Sequence, residues 1–418
     1  MFRIYLNAWK VPEIRKKLIY IVIILAVYRM GAHIPLPGMT LSGFNELSNP
    51  TADTLTRLFS IMAGGGTGTI LALGIGPYIT ASIIMQLLAV AIPKLEQIQK
   101  EGEEGRKKIN QYTRILAVVL AAIQGGGTVY SYQTWFYHRT PLVYIMATVS
   151  LITGTIFVMW LGELLTERGI GNGSSFIIFS NILSSLPQQV LTLGVSASGS
   201  FWNIMKVVVV LLLMVLVMAF VVLVQEGERR IPVQYSKKMV GRQMYGGQSS
   251  YIPIKVNIAG VMSIIFAISL LQFPSVIQQF VTNQWLSDLV VILNITHPAG
   301  AVIYVVLIFF FTFFYTSFAV NPVEMAENMR KNGGFIPGIR PGKPTSDFIQ
   351  RTITRLSWVG AAFYAVIAMF PVLFQWIFQI RMGFGGTTLL IATGVALELT
   401  KQLESQLLMR HYKGFLNA

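Results

Sequence analysis

Apolar residues run through this chain in long blocks, and polar segments of unequal charge separate them. A helix of about 20 mostly apolar residues crosses the hydrocarbon of a bilayer. By that criterion the pattern predicts spans near 18–34, 70–92, 112–131, 141–162, 173–192, 202–225, 257–280, 300–320, 356–378 and 384–400. Ser, Gln and Pro interrupt the fifth, and Gly385-Gly386 flank the short tenth. Between the first two spans, Leu55–Met62 reads as a short apolar helical piece followed by Gly64-Gly65-Gly66. It is too short to span. Two readings stand for it: a re-entrant piece inside a protein-lined cavity, where irregular backbone is tolerated at membrane depth, or an ordinary folded outer loop.

Composition agrees with a lipid solvent. Of 418 residues 54% are hydrophobic and only 12% are charged, against roughly 25% charged in soluble domains. A single soluble core also stops growing near ~250–300 residues. Met1 to Lys17 is basic and precedes an apolar stretch, as in a signal peptide, but no small-residue cleavage site follows, only Ile34-Pro35-Leu36-Pro37-Gly38. The first block therefore reads as a retained spanning helix.

Charge orients the bundle. Segments 1–17, 93–114, 163–171, 226–256, 323–355 and 401–418 hold all but five of the 32 lysines and arginines, the exceptions being Arg29, Arg57, Arg139, Lys206 and Arg381. The positive-inside rule places those segments and both termini in the cytoplasm. Two termini on one side require an even number of spans, which supports ten. Two of the basic segments are long, Glu226–Val256 and Val323–Arg355, with tight-turn chemistry at Tyr245-Gly246-Gly247 and at Pro337-Gly338-Ile339-Arg340-Pro341-Gly342. Gly permits positive φ and Pro fixes φ, so structured hairpin tips are expected. On charge alone these loops serve equally as topology signal with anionic-lipid contact or as a docking surface.

Reaction chemistry is scarce. No Cys is present, and His33, His138, His297 and His411 lack partners at metal-ligand spacing. Gly338–Thr345 lacks the phosphate-loop spacing and has Pro344 where a Ser or Thr belongs. We expect no catalytic residue, metal or cofactor, and hence no enzyme. The spans hold few ionisable groups, Arg29 near an outer end and Glu163 and Glu398 near cytoplasmic ends, which argues against a proton-coupled carrier. Ile75, Ile79 and Ile83 lie four apart on one helical face, with Gln86 beyond them. Such a stripe is commonly lipid-facing or core. Gln86 and Asn257 point further, because a polar side chain in a span faces a partner helix or a wet cavity.

Longer motifs are more specific. Leu73–Leu88 (LGIGPYITASIIMQLL) and Leu161–Gly173 (LGELLTERGIGNG) closely resemble signatures of the SecY family. So do Ile34–Gly38, Glu101–Lys108, Pro253–Asn257, Ile336–Gly342 and Arg410-His411-Tyr412, all in family order across the whole chain. The resemblance implies the channel subunit of a bacterial inner-membrane protein translocase. It implies an all-α polytopic fold of ten transmembrane helices in two pseudosymmetric five-helix halves, 1–192 and 193–418, closing like a clamshell around an hourglass pore. Unfolded preproteins with their signal peptides would cross it, or leave sideways into membrane lipids between the second and seventh spans. SecE would clamp the back, SecG would bind peripherally, and the SecA ATPase or a ribosome would dock on loops 226–256 and 323–355.

Mapped onto this sequence, the resemblance gives a pore ring of Ile75, Ile79, Ile178, Ile265 and Ile391, with Ser174 at a position where the family commonly has Ile. The plug would lie at about 55–66 and include Leu55, Leu58, Phe59, Ile61 and Met62. Ile83, Gln86 and Asn257 would line the lateral gate. Docking would fall to Arg229, Arg230, Lys237, Lys238, Arg242, Tyr245, Arg340, Lys343 and Tyr412. A secondary transporter with inverted repeats is the competing class; the two large basic loops and the missing buried charges disfavour it. A membrane enzyme lacks any acid/base or nucleophile set.

Overall fold

The computed structural model describes residues 2–40, 68–197, 201–235, 238–240, 243–245, 249–278, 281, 283–378 and 386–416. A helix lies on each of the ten predicted segments: α2 (Pro12–Gly31), α3 (Gly76–Ala91), α5 (Glu103–Ser131), α6 (Pro141–Arg168), α7 (Gly173–Ala197), α8 (Phe201–Glu226), α9 (Met262–Gln278), α11 (Pro298–Ala319), α13 (Lys343–Phe378) and α14 (Gly386–Leu416). Four shorter helices accompany them: α1 (Phe2–Lys10), α4 (Pro93–Lys100), α10 (Gln284–Leu293) and α12 (Pro322–Lys331). Helices α5, α6, α8, α11 and α13 are long and apolar enough to cross a membrane, and α3 with α4 makes a sixth candidate bent by 107°. The bend sits at Pro93, where the missing N–H and fixed φ end α3. Helix α14 is less apolar because it carries Glu398, Lys401, Gln402 and Ser405, all of which turn toward a cavity.

Boundaries depart from the predicted spans where backbone chemistry intervenes. The second span was expected from residue 70, but α3 starts at Gly76. Gly74 takes a φ of +49°, a left-handed conformation that interrupts a helix, and Pro77 then occupies the first helical turn. Helix α13 begins well before residue 356, at Lys343, because its first turns pack on the two long basic loops.

Packing follows sequence neighbours. Helix α2 buries Ile14, Ile21 and Tyr28, spaced seven apart on one stripe, and lies against α6 and α7. The buried Tyr28 hydroxyl donates to Asn181 Oδ1 at 3.0 Å, and Arg29 Nη2 donates to the Ser180 carbonyl at 3.0 Å. Helices α3, α5 and α6 pack in sequence, as do α9, α11 and α13. Helix α7 meets α8 and α14, whereas α3 and α9 touch only lightly.

The fold is not purely helical. Strands β1 (Glu228–Tyr235), β2 (Lys238–Val240), β3 (Gln243–Tyr245) and β4 (Ser249–Lys255) occupy the first long loop, and β5 (Gly334–Phe335) the second. β1 pairs antiparallel with β4 and also with β5. Ile231, Val233 and Ile254 from the hairpin pack with Met329, Ile336, Ile349 and Ile353 from the second loop and α13. The two loops, predicted as separate hairpin tips, therefore share one small core.

Candidate functional site

A cavity of about 980 Å³ opens among α3, α6, α7, α9 and α14. Four of the predicted ring residues line it, each from a different helix: Ile79 of α3, Ile178 of α7, Ile265 of α9 and Ile391 of α14. Ile178, Ile265 and Ile391 are buried and Ile79 is half-buried, all within one hydrophobic cluster. The fifth, Ile75, belongs to the same cluster but does not line the cavity; it sits at the cap of α3. Its Cδ1 and the Ser174 Oγ converge on Gly162, at 3.8 and 3.6 Å from where a Cβ there would stand. Ser174 itself lines the cavity, so a small polar side chain stands where an isoleucine would narrow the passage.

Ile83, Gln86 and Asn257, the residues expected at a lateral gate, line the same space. Gln86 Nε2 donates to Ser82 Oγ at 3.2 Å, one turn back on its own helix. Among the described residues, the Asn257 Oδ1 is buried without a hydrogen-bond partner, and so is the Oε1 of Gln225, whose Nε2 donates to the Leu390 carbonyl at 3.4 Å. Six other buried side-chain polar atoms are unpaired away from the cavity, Ser263 Oγ and Tyr304 Oη among them, so the two give the cavity wall unpaired acceptors. Sequence reasoning passed over Gln225; the signal was a glutamine ending a long apolar run.

Glu163, Lys255, Glu398 and Lys401 also line the cavity. Glu163 is paired, its Oε1 2.6 Å from Arg114 Nε of α5. At such exposure the pair contributes at most ~1 kcal/mol, so it orients Glu163 more than it stabilises the bundle. Gln402 Nε2 donates to Glu398 Oε1 at 3.2 Å.

Every expected docking residue that is described, Tyr412 apart, lies within the two long loops, which form a loop domain around their shared core. Arg229 and Arg230 are exposed on β1. Arg230 Nε stands 2.7 Å from Glu228 Oε1, and its guanidinium lies 4.8 Å from the centre of the Tyr251 ring. The hydrogen bond to Glu228 raises its pKa above the ordinary arginine value. Arg340 is exposed at the tip of the second loop, where its carbonyl accepts from Thr345 Oγ1 at 2.9 Å and neighbouring Ile336 is buried. Lys343 is exposed at the first turn of α13. Lys238 and Tyr245 are Cα partners in the β2–β3 pair, and Tyr412 lies on α14. Lys237 and Arg242 lie outside the described residues, as do the expected plug residues Leu55, Leu58, Phe59, Ile61 and Met62.

Comparison with known proteins matches this arrangement. The SecY family model aligns with residues 69–400. A protein translocase subunit SecY from Streptomyces galbus is 43% identical, with all of both chains covered. Among solved structures, one described as a protein-conducting channel superposes with a TM-score of 0.64 at 21% identity, covering 92% of this chain and 91% of that one. Sec61 in the canine ribosome–channel complex from the endoplasmic reticulum gives 0.60 at 19% identity, with the same coverages. With a family model over most of its length and such identity to a full-length relative, the chain belongs to the SecY family.

Proposed function

We propose that this chain is the channel subunit of a protein translocase and that the cavity is its polypeptide path. One observation carries the reading: isoleucines from α3, α7, α9 and α14 meet in a single cavity of a many-helix membrane protein. A narrow apolar constriction resists wetting and so blocks ions. Isoleucine side chains can close around an extended chain without preferring a sequence. Ile75 backs the ring from behind, and the segment around 55–66 plugs it.

In this reading all ten helices span, with both termini cytoplasmic at the bacterial inner membrane. Helices α2, α3, α5, α6 and α7 form one half, and α8, α9, α11, α13 and α14 the other. The packed α7–α8 side is the hinge. The light α3–α9 contact, flanked by Ile83, Gln86 and Asn257, is the lateral exit for signal peptides and membrane segments. SecE holds the hinge side, SecG binds peripherally, and SecA or a ribosome docks on the loop domain. The partner supplies the work, so the channel needs no catalytic group of its own.

The absence of cysteine makes a direct test simple. Single cysteines replace Ile79, Ile391 and, as a lipid-facing control, the exposed Phe310. Each channel then receives an arrested preprotein carrying one cysteine. Crosslinks at positions 79 and 391 but not at 310 are expected. Equal crosslinking at all three would remove the cavity from the polypeptide path.

A further inference from the structure

Helix α10 was not foreseen from the sequence, and the pore reading gives it no role. It is ten residues long and joins α9 to α11. Both of its ends are tied to those helices. Gln278 Nε2, at the end of α9, donates to Ser287 Oγ at 3.2 Å, and Asn283 caps α10 by accepting from the Trp285 amide at 3.3 Å. At the other end Gly300 of α11 packs on the Asn294 carbonyl so closely that no Cβ would fit. Helix α10 therefore cannot drift from the level at which α9 and α11 end.

Its two faces differ. Leu286 points inward and is buried, and Leu293 packs against the main core. Trp285 and Ile292 lie seven residues apart, hence on one stripe, and are 68% and 45% exposed. Asp288 is exposed between them, one turn from each, and Gln284 and Val291 are exposed on the far side of Asp288. A tryptophan and an isoleucine held open beside polar groups suit the boundary between hydrocarbon and water, where amphipathic helices lie in plane and tryptophan is enriched.

We propose that α10 is an interfacial helix whose Trp285–Ile292 stripe inserts among the lipids of the outer leaflet, fixing the depth of the outer end of α9. The occupant is lipid rather than a protein because α9 and α11 leave the bilayer at the two points where α10 is fastened. The inference rests on the spanning reading of α9.

Single cysteines at Trp285, Ile292, Asp288 and Leu270, labelled with the environment-sensitive dye NBD, test this in the full chain reconstituted into phosphatidylcholine vesicles. Leu270 is half exposed on α9 and reports whether that helix spans. Deep nitroxides on the lipid chains should quench position 270, and shallow nitroxides positions 285 and 292. Aqueous iodide should quench only position 288. If position 270 is quenched by iodide, the spanning reading of α9 fails. If position 270 is deep but 285 and 292 respond to iodide as 288 does, only the interfacial proposal fails. Protection of 285 and 292 from both quenchers would place protein there and overturn it too.

Discussion

Gln402 of α14 presses on Gly171 in the turn between α6 and α7: a Cβ on Gly171 would lie 2.5 Å from the Gln402 Oε1. Gly171 has a φ of +88°, a conformation that L side chains rarely adopt. Glu398 holds Gln402 in place from one turn earlier on α14. The contact joins the two proposed halves at the wall of the cavity, because Gly171, Glu398 and Gln402 all line it.

Gly171→Ala adds backbone strain of roughly 1–2 kcal/mol and pushes aside the flexible end of Gln402, away from Glu398. It should lower the thermal unfolding temperature of the detergent-solubilised protein. Gln402→Ala on the same background removes the clash and should restore part of the loss. A double variant no more stable than the single one would separate Gln402 from the cost.

Ile79→Gly and Ile391→Ser widen and wet the constriction. Both should raise ion conductance across planar bilayers and relax the stringency of signal-sequence recognition. Unchanged conductance in both would count against the ring.

Arg340→Glu reverses charge at an exposed tip whose turn is anchored by Ile336 and by the Thr345 hydrogen bond. Those anchors stay, so the variant should fold and insert normally. Export driven by SecA should fall severalfold. Normal export would end the docking role of this residue.

Ile231→Ala leaves a cavity in the core shared by the two loops, at a cost of about 2–5 kcal/mol. Limited proteolysis from the cytoplasmic side should then cut faster in 226–256 and in 323–355 together. Faster cleavage in the first loop alone would mean that the loops fold independently.

Much of this was legible because long apolar runs fix where helices lie, whatever their partners. Tight motifs such as LGIGPYITASIIMQLL also brought Ile79 and Gln86 to the cavity with no structure in hand. Other features were not legible. Ile75 reads as one more member of its stripe, and only the backbone shows that the left-handed Gly74 makes it the cap of α3, its carbonyl accepting from the Ile79 amide. Helix α10 escaped because ten residues of mixed polarity in an outer loop carry no spanning signal. The shared loop core escaped because Ile231 and Ile353 are more than a hundred residues apart and periodicity reports only local neighbours. The partnership of Gln402 with Gly171 is likewise a tertiary contact between two unremarkable letters.

Helix α13 runs unbroken for 36 residues, about 54 Å at 1.5 Å per residue. Ile349 and Ile353 near its start are embedded in the loop core, while Phe363, Tyr364 and Ile367 are embedded in the main bundle. No proline interrupts it between these two anchors; Pro371 comes after them. A displacement of the loop core is therefore passed to the bundle through continuous helix backbone, and the two cores are joined by a strut where a slack tether would have let them move apart.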